Sequence, residues 1–349
     1  MTETQIIEIA KRALKTIQQE YYTRSGNDFV KSLKVGYREA RNSIQKSINE
    51  DLSNDILAVF DKLCNKVTNS LVEYSKGNIA FVFRSMTLWW SGSKEGNGAK
   101  REQGSPRLDL ISNNGIVFSL DSTATLFRMR KGTIQDNYGT NDMFAVPFKE
   151  RRRLGNYRYS VSGYPCLYAG LSLYICWEEL RRPTFDQVYA TSLKLKDGNT
   201  LNLFDLRLIQ TLKSKKEINN YICMLPLILA CSVAVPQQYD KNEYPFKLEY
   251  AFPQFLMNAL TQKERYINGV KMDGIIYTST RCKGGINKIV SPLCDNIAIP
   301  IPSEEEEHSF ARKFDIKPPV HIGYSKTTLP LNSLQKLEQM LQNIPYESL

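Results

Sequence analysis

The sequence predicts an α+β protein in which a helical N-terminal domain precedes a mixed β region. Apolar residues recur at helical spacing up to residue 76, whereas most of the short segments typical of strands lie beyond residue 115. Helical segments fall between these strands without a regular strand–helix–strand alternation. This pattern favours an α+β fold over a doubly wound parallel sheet. The length of 349 residues suits about two domains.

Residues 1-76 are predicted to form the helical domain. Apolar residues from Ile6 to Ile17, and again from Ile44 to Leu71, lie three or four positions apart, as on one face of a helix. The second stretch is expected to break at 53–55, where Ser, Asn and Asp form an N-cap cluster, and to stop at Gly77. The next region, 77-115, is predicted to be a connecting segment. It begins with a strand-like run at 79–83 and contains a mobile loop at 91-106, which is rich in Gly, Ser and charged residues.

Residues 116-349 are predicted to form the second domain. Strands are expected at 116–120, 124–129 and 167–169, and a hairpin is expected to join 190–195 to 201–206 around Asp197-Gly198. Helices are expected at 172–181 and 254–266. The uncharged run 221–235 is too short to span a bilayer, because a span needs about 20 residues, so it is expected to be a buried core element. An apolar stripe from Leu334 to Ile344 predicts a helix packed on the body, and the acidic run 304–307 predicts a solvated face.

Composition excludes several functional classes. Lys and Arg exceed Asp and Glu by 46 to 36, and the resulting charge of +10 favours anionic partners. The two histidines supply little for a histidine base or a histidine-rich metal site. No GxGxxG, GxxxxGK[ST] or GxSxG motif occurs, which argues against dinucleotide oxidoreductases, P-loop NTPases and serine hydrolases. Seven cysteines without a CxxC pair predict buried thiols in a reducing compartment, and therefore a cytoplasmic protein.

Three segments carry the candidate chemistry. Arg128 and Arg130 are two positions apart on a strand, so both side chains lie on the same face of it. That face lies either toward an anionic partner or toward solvent. Glu178 and Glu179 end an apolar helix, and one of them is expected to face inward. The third segment, 273–287, is a strand that leads into a Gly-Gly turn through three hydroxyl residues, and by composition alone it is equally consistent with an ordinary edge strand.

Taken together, the segments LFRMR, NYRYSVSGYPCLY, YICWEEL, AFPQ and DGIIYTSTR resemble the RES family, which is named for an Arg, a Glu and a Ser. The resemblance covers roughly residues 120-300, although Tyr159-Ser160 replaces the family's aromatic–Asn pair and the stretch between the Glu and the Ser is long. It implies an ADP-ribosyltransferase-like mixed β core with flanking helices. It also implies an enzyme that consumes NAD as its substrate, often as the toxin of a toxin–antitoxin pair. The N-terminal helices are an addition to the minimal toxin.

The resemblance also implies the site residues. Arg128, Glu179 and Ser279 match the family's Arg, Glu and Ser, while Arg158, Tyr168 and Gln254 match its substrate-binding positions. Glu179 would stabilise positive charge on the ribose, the two arginines would bind pyrophosphate, Tyr168 would stack on the ligand, and Ser279 would position it. Ala251 stands where some members have a small hydroxyl residue before the glutamine, so which serine is functional stays open.

The implied chemistry needs no metal. The implied partners are NAD, a cognate antitoxin protein and a second copy of the chain, and a membrane is not among them. The acceptor of the ADP-ribose stays open between water, phosphate and a macromolecule. The alternative is a non-catalytic module on a RES-like scaffold, in which the basic residues 151–153 and Tyr157 bind nucleic acid or another protein.

Overall fold

The computed structural model describes most of the chain, namely residues 1–24, 28–47, 50–90, 111, 114–236, 246–261, 266–282, 291–323, 331–343 and 345–348. Helices and strands are both abundant in these ranges, so the predicted α+β class is confirmed. The predicted loop at 91-106 lies outside the described residues.

The helices and strands have the following bounds. The helices are α1 (Glu3–Gln19), α2 (Phe29–Ser47), α3 (Glu50–Ser75), α4 (Ile79–Trp90), α5 (Leu173–Glu179), α6 (Lys215–Ser232), α7 (Leu248–Thr261), α8 (Glu307–Ala311) and α9 (Leu331–Gln342). The strands are β1 (Val117–Leu120), β2 (Leu126–Lys131), β3 (Cys166–Gly170), β4 (Val188–Leu195), β5 (Leu201–Leu206), β6 (Tyr266–Ile267), β7 (Val270–Lys271), β8 (Gly274–Thr278), β9 (Asp295–Pro300), β10 (Phe314–Ile316), β11 (Val320–His321) and β12 (Glu347–Ser348).

The chain folds into two compact units, and neither is one continuous stretch of sequence. Unit 1 comprises 1–117, 157–159 and 204–272, and unit 2 comprises 118–156, 160–203 and 273–349. This division differs from the predicted domains 1-76 and 116-349. The difference arises because α6 and α7, from the middle of the sequence, pack against the N-terminal helices.

Unit 1 is a helical assembly. Helix α6 contacts α1 and α3, while α7 contacts α3 and α4. The apolar end of α6 is completely buried from Tyr221 to Ser232, as predicted for this run. No helix in the described ranges is long and apolar enough to cross a membrane.

Two local predictions in unit 1 are wrong and one is confirmed. The structure forms a continuous helix α3 through 53–55, so the expected break there is absent. The run at 79–83 is the first turn of α4 rather than a strand, because a short apolar run does not distinguish the two and packing decides: Val82 is buried and Phe83 lies edge-on to Phe255 of α7 at 5.2 Å. Gly77 does stop the preceding helix, since its φ of +86° is a left-handed conformation that ends helices.

The main sheet has the strand order β1-β5-β8-β9-β3-β2-β4-β10-β12, and β11 pairs with the end of β4. The central pairs from β8 to β4 are antiparallel. The predicted hairpin between β4 and β5 is wrong, although both strands exist and Gly198 has the φ of +80° that its turn requires. Strand β4 already pairs with β2 on one edge and with β10 and β11 on the other, so β5 pairs elsewhere.

Both faces of the sheet are covered by apolar residues. On one face, Leu173 and Trp177 of α5 pack with the leucines of α9, which confirms the predicted C-terminal helix. On the other face, residues of β3, β4 and β9 form a second core with Phe310 and Phe314. Of the acidic run 304–307, residues 304–306 are exposed, as predicted, whereas Glu307 is half-buried and accepts a hydrogen bond from the Phe148 N–H. The short helix α5 is therefore fixed on the centre of the sheet, where the candidate site lies.

Candidate active site around Glu179

The start of α5 is fixed by three contacts. Ser172 caps the helix, because its Oγ accepts a hydrogen bond from the Ile175 N–H at 3.1 Å and donates one to the Leu293 carbonyl at 2.7 Å. The Leu173 N–H donates to Glu338 Oε1 at 2.6 Å. Gly170, just before the turn, lets the helix lie against the strand, since a Cβ there would come within 2.6 Å of the Ile175 side chain.

The end of α5 separates the two candidate glutamates. Glu178 is buried and forms an ion pair with Arg182, whose Nε lies 2.8 Å from Glu178 Oε2. Arg182 also lies over the Trp177 ring at 5.0 Å. Glu178 is therefore the inward-facing glutamate. The next side chain, Glu179, is rotated by about 100° and lies on the accessible side, with 37% of its side chain exposed.

Glu179 is the centre of a hydrogen-bonded cluster. Its Oε1 accepts from Ser279 Oγ at 2.6 Å and from Asn296 Nδ2 at 2.8 Å. Its Oε2 lies 3.4 Å from Arg281 Nε and accepts no hydrogen bond from the described residues. Two donors of the protein thus hold one oxygen of the carboxylate, and the other lies beside a positive charge on a partly exposed side chain.

The ends of β8 and β9 supply the partners of Glu179. Asn296 lies opposite Tyr277 of β8 and Gly170 of β3, and Ser279 follows directly after β8. The Ser279 N–H donates to the Cys294 carbonyl at 2.8 Å, and its Oγ accepts from the Arg281 N–H at 3.0 Å. Ser279 therefore contacts the carboxylate itself, whereas the resemblance implied a contact with the ligand.

A disulfide and a buried aspartate hold the same strand ends. Cys282 and Cys294 form a disulfide, so the expectation that all seven cysteines are thiols is wrong. Of the other five, four are buried and Cys64 is half-buried. Asp295 is fully buried and accepts hydrogen bonds from the hydroxyls of Thr278 and Ser291. These contacts fix the segments that carry Ser279 and Asn296.

Tyr168 lies on the same face of the sheet as Asn296. It is two residues from Gly170 on β3, which places it about 7 Å along the strand from the position opposite Asn296. Its hydroxyl lies 3.0 Å from Ser160 Oγ. The side chain of Tyr168 is thus held by the strand at one end and by Ser160 at the other.

Arg128 is half-buried on β2, opposite Thr191 of β4. Phe127 pairs with Gly170, which pairs with Asn296, so Arg128 lies on the sheet face opposite to Tyr168 and Asn296. Burial, with a smaller contribution from Glu179, raises the pKa of the Cys176 thiol to about 12 in spite of the opposing charge of Arg128. The neighbouring Arg130 donates to the Phe144 carbonyl at 3.0 Å, so this arginine is partnered by the protein.

Arg158 and Gln254 belong to unit 1 and have contacts of their own there. Arg158 is 9% exposed, donates to the Cys231 carbonyl at 3.2 Å and lies over the Tyr250 ring at 4.9 Å. Gln254 Nε2 donates to the Tyr157 carbonyl at 2.7 Å. The two side chains thus anchor the short segment 157–159 to α6 and α7. Their substrate-binding roles stay predictions.

Two members of the cluster, Asn296 and Arg281, were not predicted from the sequence. A signal for Asn296 existed, because Asp295 and Asn296 are polar residues that open an otherwise apolar strand. Arg281 follows Ser279 by two positions in STR. In the described part of the chain, no group of three or more His, Cys, Asp and Glu side chains is arranged to hold a metal ion.

Comparison with known proteins gives one informative match. No family model matches the sequence, and no solved structure matches it, so the RES assignment and the ADP-ribosyltransferase-like fold stay predictions. A protein of Bacillus subtilis (strain 168) described as "Putative toxin YopC" is 33% identical over 206 residues, which cover 53% of this chain and 43% of that protein. The chain thus spans less than half the length of this relative, and it is similar over about half of its own length to a protein described as a toxin.

Proposed function

We propose that the chain is an enzyme that consumes NAD by breaking the bond between nicotinamide and ribose. The observation that carries this proposal is the Glu179 carboxylate, which two donors fix through Oε1 while 37% of the side chain stays exposed. A carboxylate held in this way suits a reaction that builds positive charge on a sugar carbon, as glycoside cleavage does.

In the proposed reaction the C–N bond breaks and its electron pair goes to the ring nitrogen, which releases neutral nicotinamide. The ribose carbon becomes positively charged, and Glu179 Oε2 stabilises that charge or accepts a hydrogen bond from a ribose hydroxyl. An acceptor oxygen then bonds to the carbon and loses its proton. Arg281, whose Nε lies 3.4 Å from Oε2, places a positive charge beside the carboxylate.

The other predicted residues have side chains whose chemistry suits the aromatic nicotinamide ring and the anionic pyrophosphate of NAD. Tyr168 presents an aromatic ring on the same sheet face as the carboxylate cluster, which suits stacking on nicotinamide. Arg128 has the forked geometry that matches phosphate oxygens, and it lies on the sheet face opposite to Gly170 and Asn296, because Phe127 is the residue of β2 that pairs with Gly170. The resemblance assigns phosphate binding to Arg158 as well, and substrate binding to Gln254.

The similarity to a protein described as a toxin supports a toxin role for this chain, with NAD depletion or ADP-ribosyl transfer as the toxic activity. The proposed protein partner of such a toxin is a cognate antitoxin. The acceptor of the ADP-ribose is water, phosphate or a macromolecule, and the identity of the product decides between them.

The test is incubation of the purified protein with NAD while nicotinamide and the ADP-ribose product are followed by chromatography. Glu179→Gln should lower turnover by about 10²–10³-fold, because it removes the charge that stabilises the transition state. Glu305→Gln, an exposed position away from the cluster, is the matched control and should behave as the parent protein. A Glu179→Gln protein that consumes NAD at the parental rate would overturn the site.

Absence of nicotinamide release by the parent protein, with and without phosphate, macromolecular acceptors or cell extract, would overturn the proposed activity. The alternative, a non-catalytic module that binds nucleic acid or protein through its basic residues, would then be favoured. Steeply salt-dependent binding to DNA or RNA would identify the nucleic-acid form of that module.

A further inference from the structure

We infer that Asn296 is a positioning residue that decides which oxygen of Glu179 meets the substrate. This inference rests on the proposed function. The structure assigns one carboxylate oxygen, Oε1, to the protein and leaves the other, Oε2, for the ligand, and Asn296 is one of the two groups that hold the carboxylate in this orientation.

The argument begins with the direction of the hydrogen bonds on Oε1. An amide Nδ2 can only donate, so its contact of 2.8 Å requires an acceptor on Glu179. Ser279 Oγ accepts from the Arg281 N–H, so its own proton is directed to Oε1. Both partners therefore donate to the same oxygen, and a proton on Oε1 would oppose both bonds.

Asn296 also has a firmer position than the helix it contacts. It is 5% exposed and lies on a strand whose neighbours β3 and β8 pair with it on both edges. Helix α5 has only seven residues, and Glu179 is its last one. The bond from Asn296 thus ties the last residue of the helix to the middle of the sheet.

Loss of this bond should therefore change catalysis more than binding. Asn296→Ala should lower kcat by about 10–10²-fold, because a displacement near 1 Å is enough to misplace a reacting group, while KM changes by about twofold or less. Asn296→Asp replaces the donor by a like charge and should move the acidic limb of the pH–rate profile upward by about one pH unit. Asn141→Asp, at an exposed position, is the control and should leave the profile unchanged.

The test that does not depend on turnover is NMR of protein labelled with ¹⁵N-asparagine. The side-chain amide signal of Asn296, identified by its loss in Asn296→Ala, should shift in Glu179→Gln and stay in place in Glu305→Gln. An Asn296 amide signal that does not shift in Glu179→Gln would overturn the inference whether or not the protein consumes NAD. An amide signal that shifts, in a parent protein that releases no nicotinamide, would instead overturn the proposed function, and with it the catalytic part of this inference.

Two further results would overturn the positioning role alone. The first is an active Asn296→Ala protein with unchanged kcat. The second is an Asn296→Asp protein that unfolds at the parental urea concentration and keeps the parental pH–rate profile.

Discussion

Substitution of Gly170 by Ala tests whether close seating of α5 on the sheet positions Glu179. An added Cβ would lie 2.6 Å from Ile175 Cγ2, 2.8 Å from Cys176 Sγ and 2.9 Å from the Ser172 carbonyl oxygen. Ordinary van der Waals contact begins near 3.4 Å, so the nearest contact must lengthen by about 0.8 Å (3.4 less 2.6). One of the three atoms is backbone, so rotation of a side chain alone cannot relieve the crowding.

We expect Gly170→Ala to lower the free energy of unfolding by about 1–3 kcal/mol, which is typical of overpacking. We also expect kcat/KM for NAD to fall by about 10–10²-fold, because Glu179 moves with the helix. Urea unfolding and nicotinamide release measure the two effects. Gly155→Ala is the matched control, since a Cβ there meets nothing within 4 Å. If Gly170→Ala unfolds and turns over as Gly155→Ala does, the close seating of α5 does not position the carboxylate.

Three further predictions concern groups around α5. Arg182→Met should destabilise the protein by about 3 kcal/mol, because it leaves the buried Glu178 carboxylate without its charged partner, and urea unfolding should show part of this loss recovered when Glu178→Leu is added. Burial raises the pKa of Glu338 even though the Leu173 N–H lowers it, so the folded state holds this proton more tightly and the contribution to stability is lost as pH rises through the folded pKa. Glu338→Gln should therefore stabilise the protein at pH 7.5 and do so less at pH 4, and equal effects at both values would contradict the reasoning. Burial raises the pKa of Cys176 to about 12, so only about one thiol in 10⁴ is ionised at pH 8. Peptide mass spectrometry should find Cys176 alkylated slowly by iodoacetamide in the folded protein and rapidly in denaturant.

Local patterns predicted several helices and strands but not how they associate. The helical spacing of α1 and α3 and the strand signals of β1 to β5 are local properties, and these elements are present, whereas α2 was not predicted. Which strand pairs with β4 depends on residues more than 100 positions away, in β10 and β11, and no turn signal reports them. The same holds for α6 and α7. Because they pack on the N-terminal helices, the compact units are not the consecutive stretches of sequence that composition suggested.

The candidate site was partly predictable for a similar reason. Glu179 and Ser279 were chosen from a resemblance in their local segments, and the structure places them 2.6 Å apart across 100 positions. Asn296 and Arg281 were missed because their importance comes from contact with Glu179 rather than from a motif. The sequence pattern also left open which glutamate faces inward, since the answer depends on Arg182 folding back over the helix end.

The backbone after α5 makes the site sensitive to the number of residues in this helix. Arg181 and Arg182 both have positive φ, 64° and 52°, and their N–H groups bond the carbonyls of Glu178 and Trp177, so the helix cannot continue beyond Leu180. Such left-handed residues cost roughly 1–2 kcal/mol each, which the surrounding contacts must offset. With Ser172 fixed at one end and this reversal at the other, inserting or deleting one residue between them would turn the carboxylate by about 100°. A change in the length of α5 would therefore remove the site in a single step.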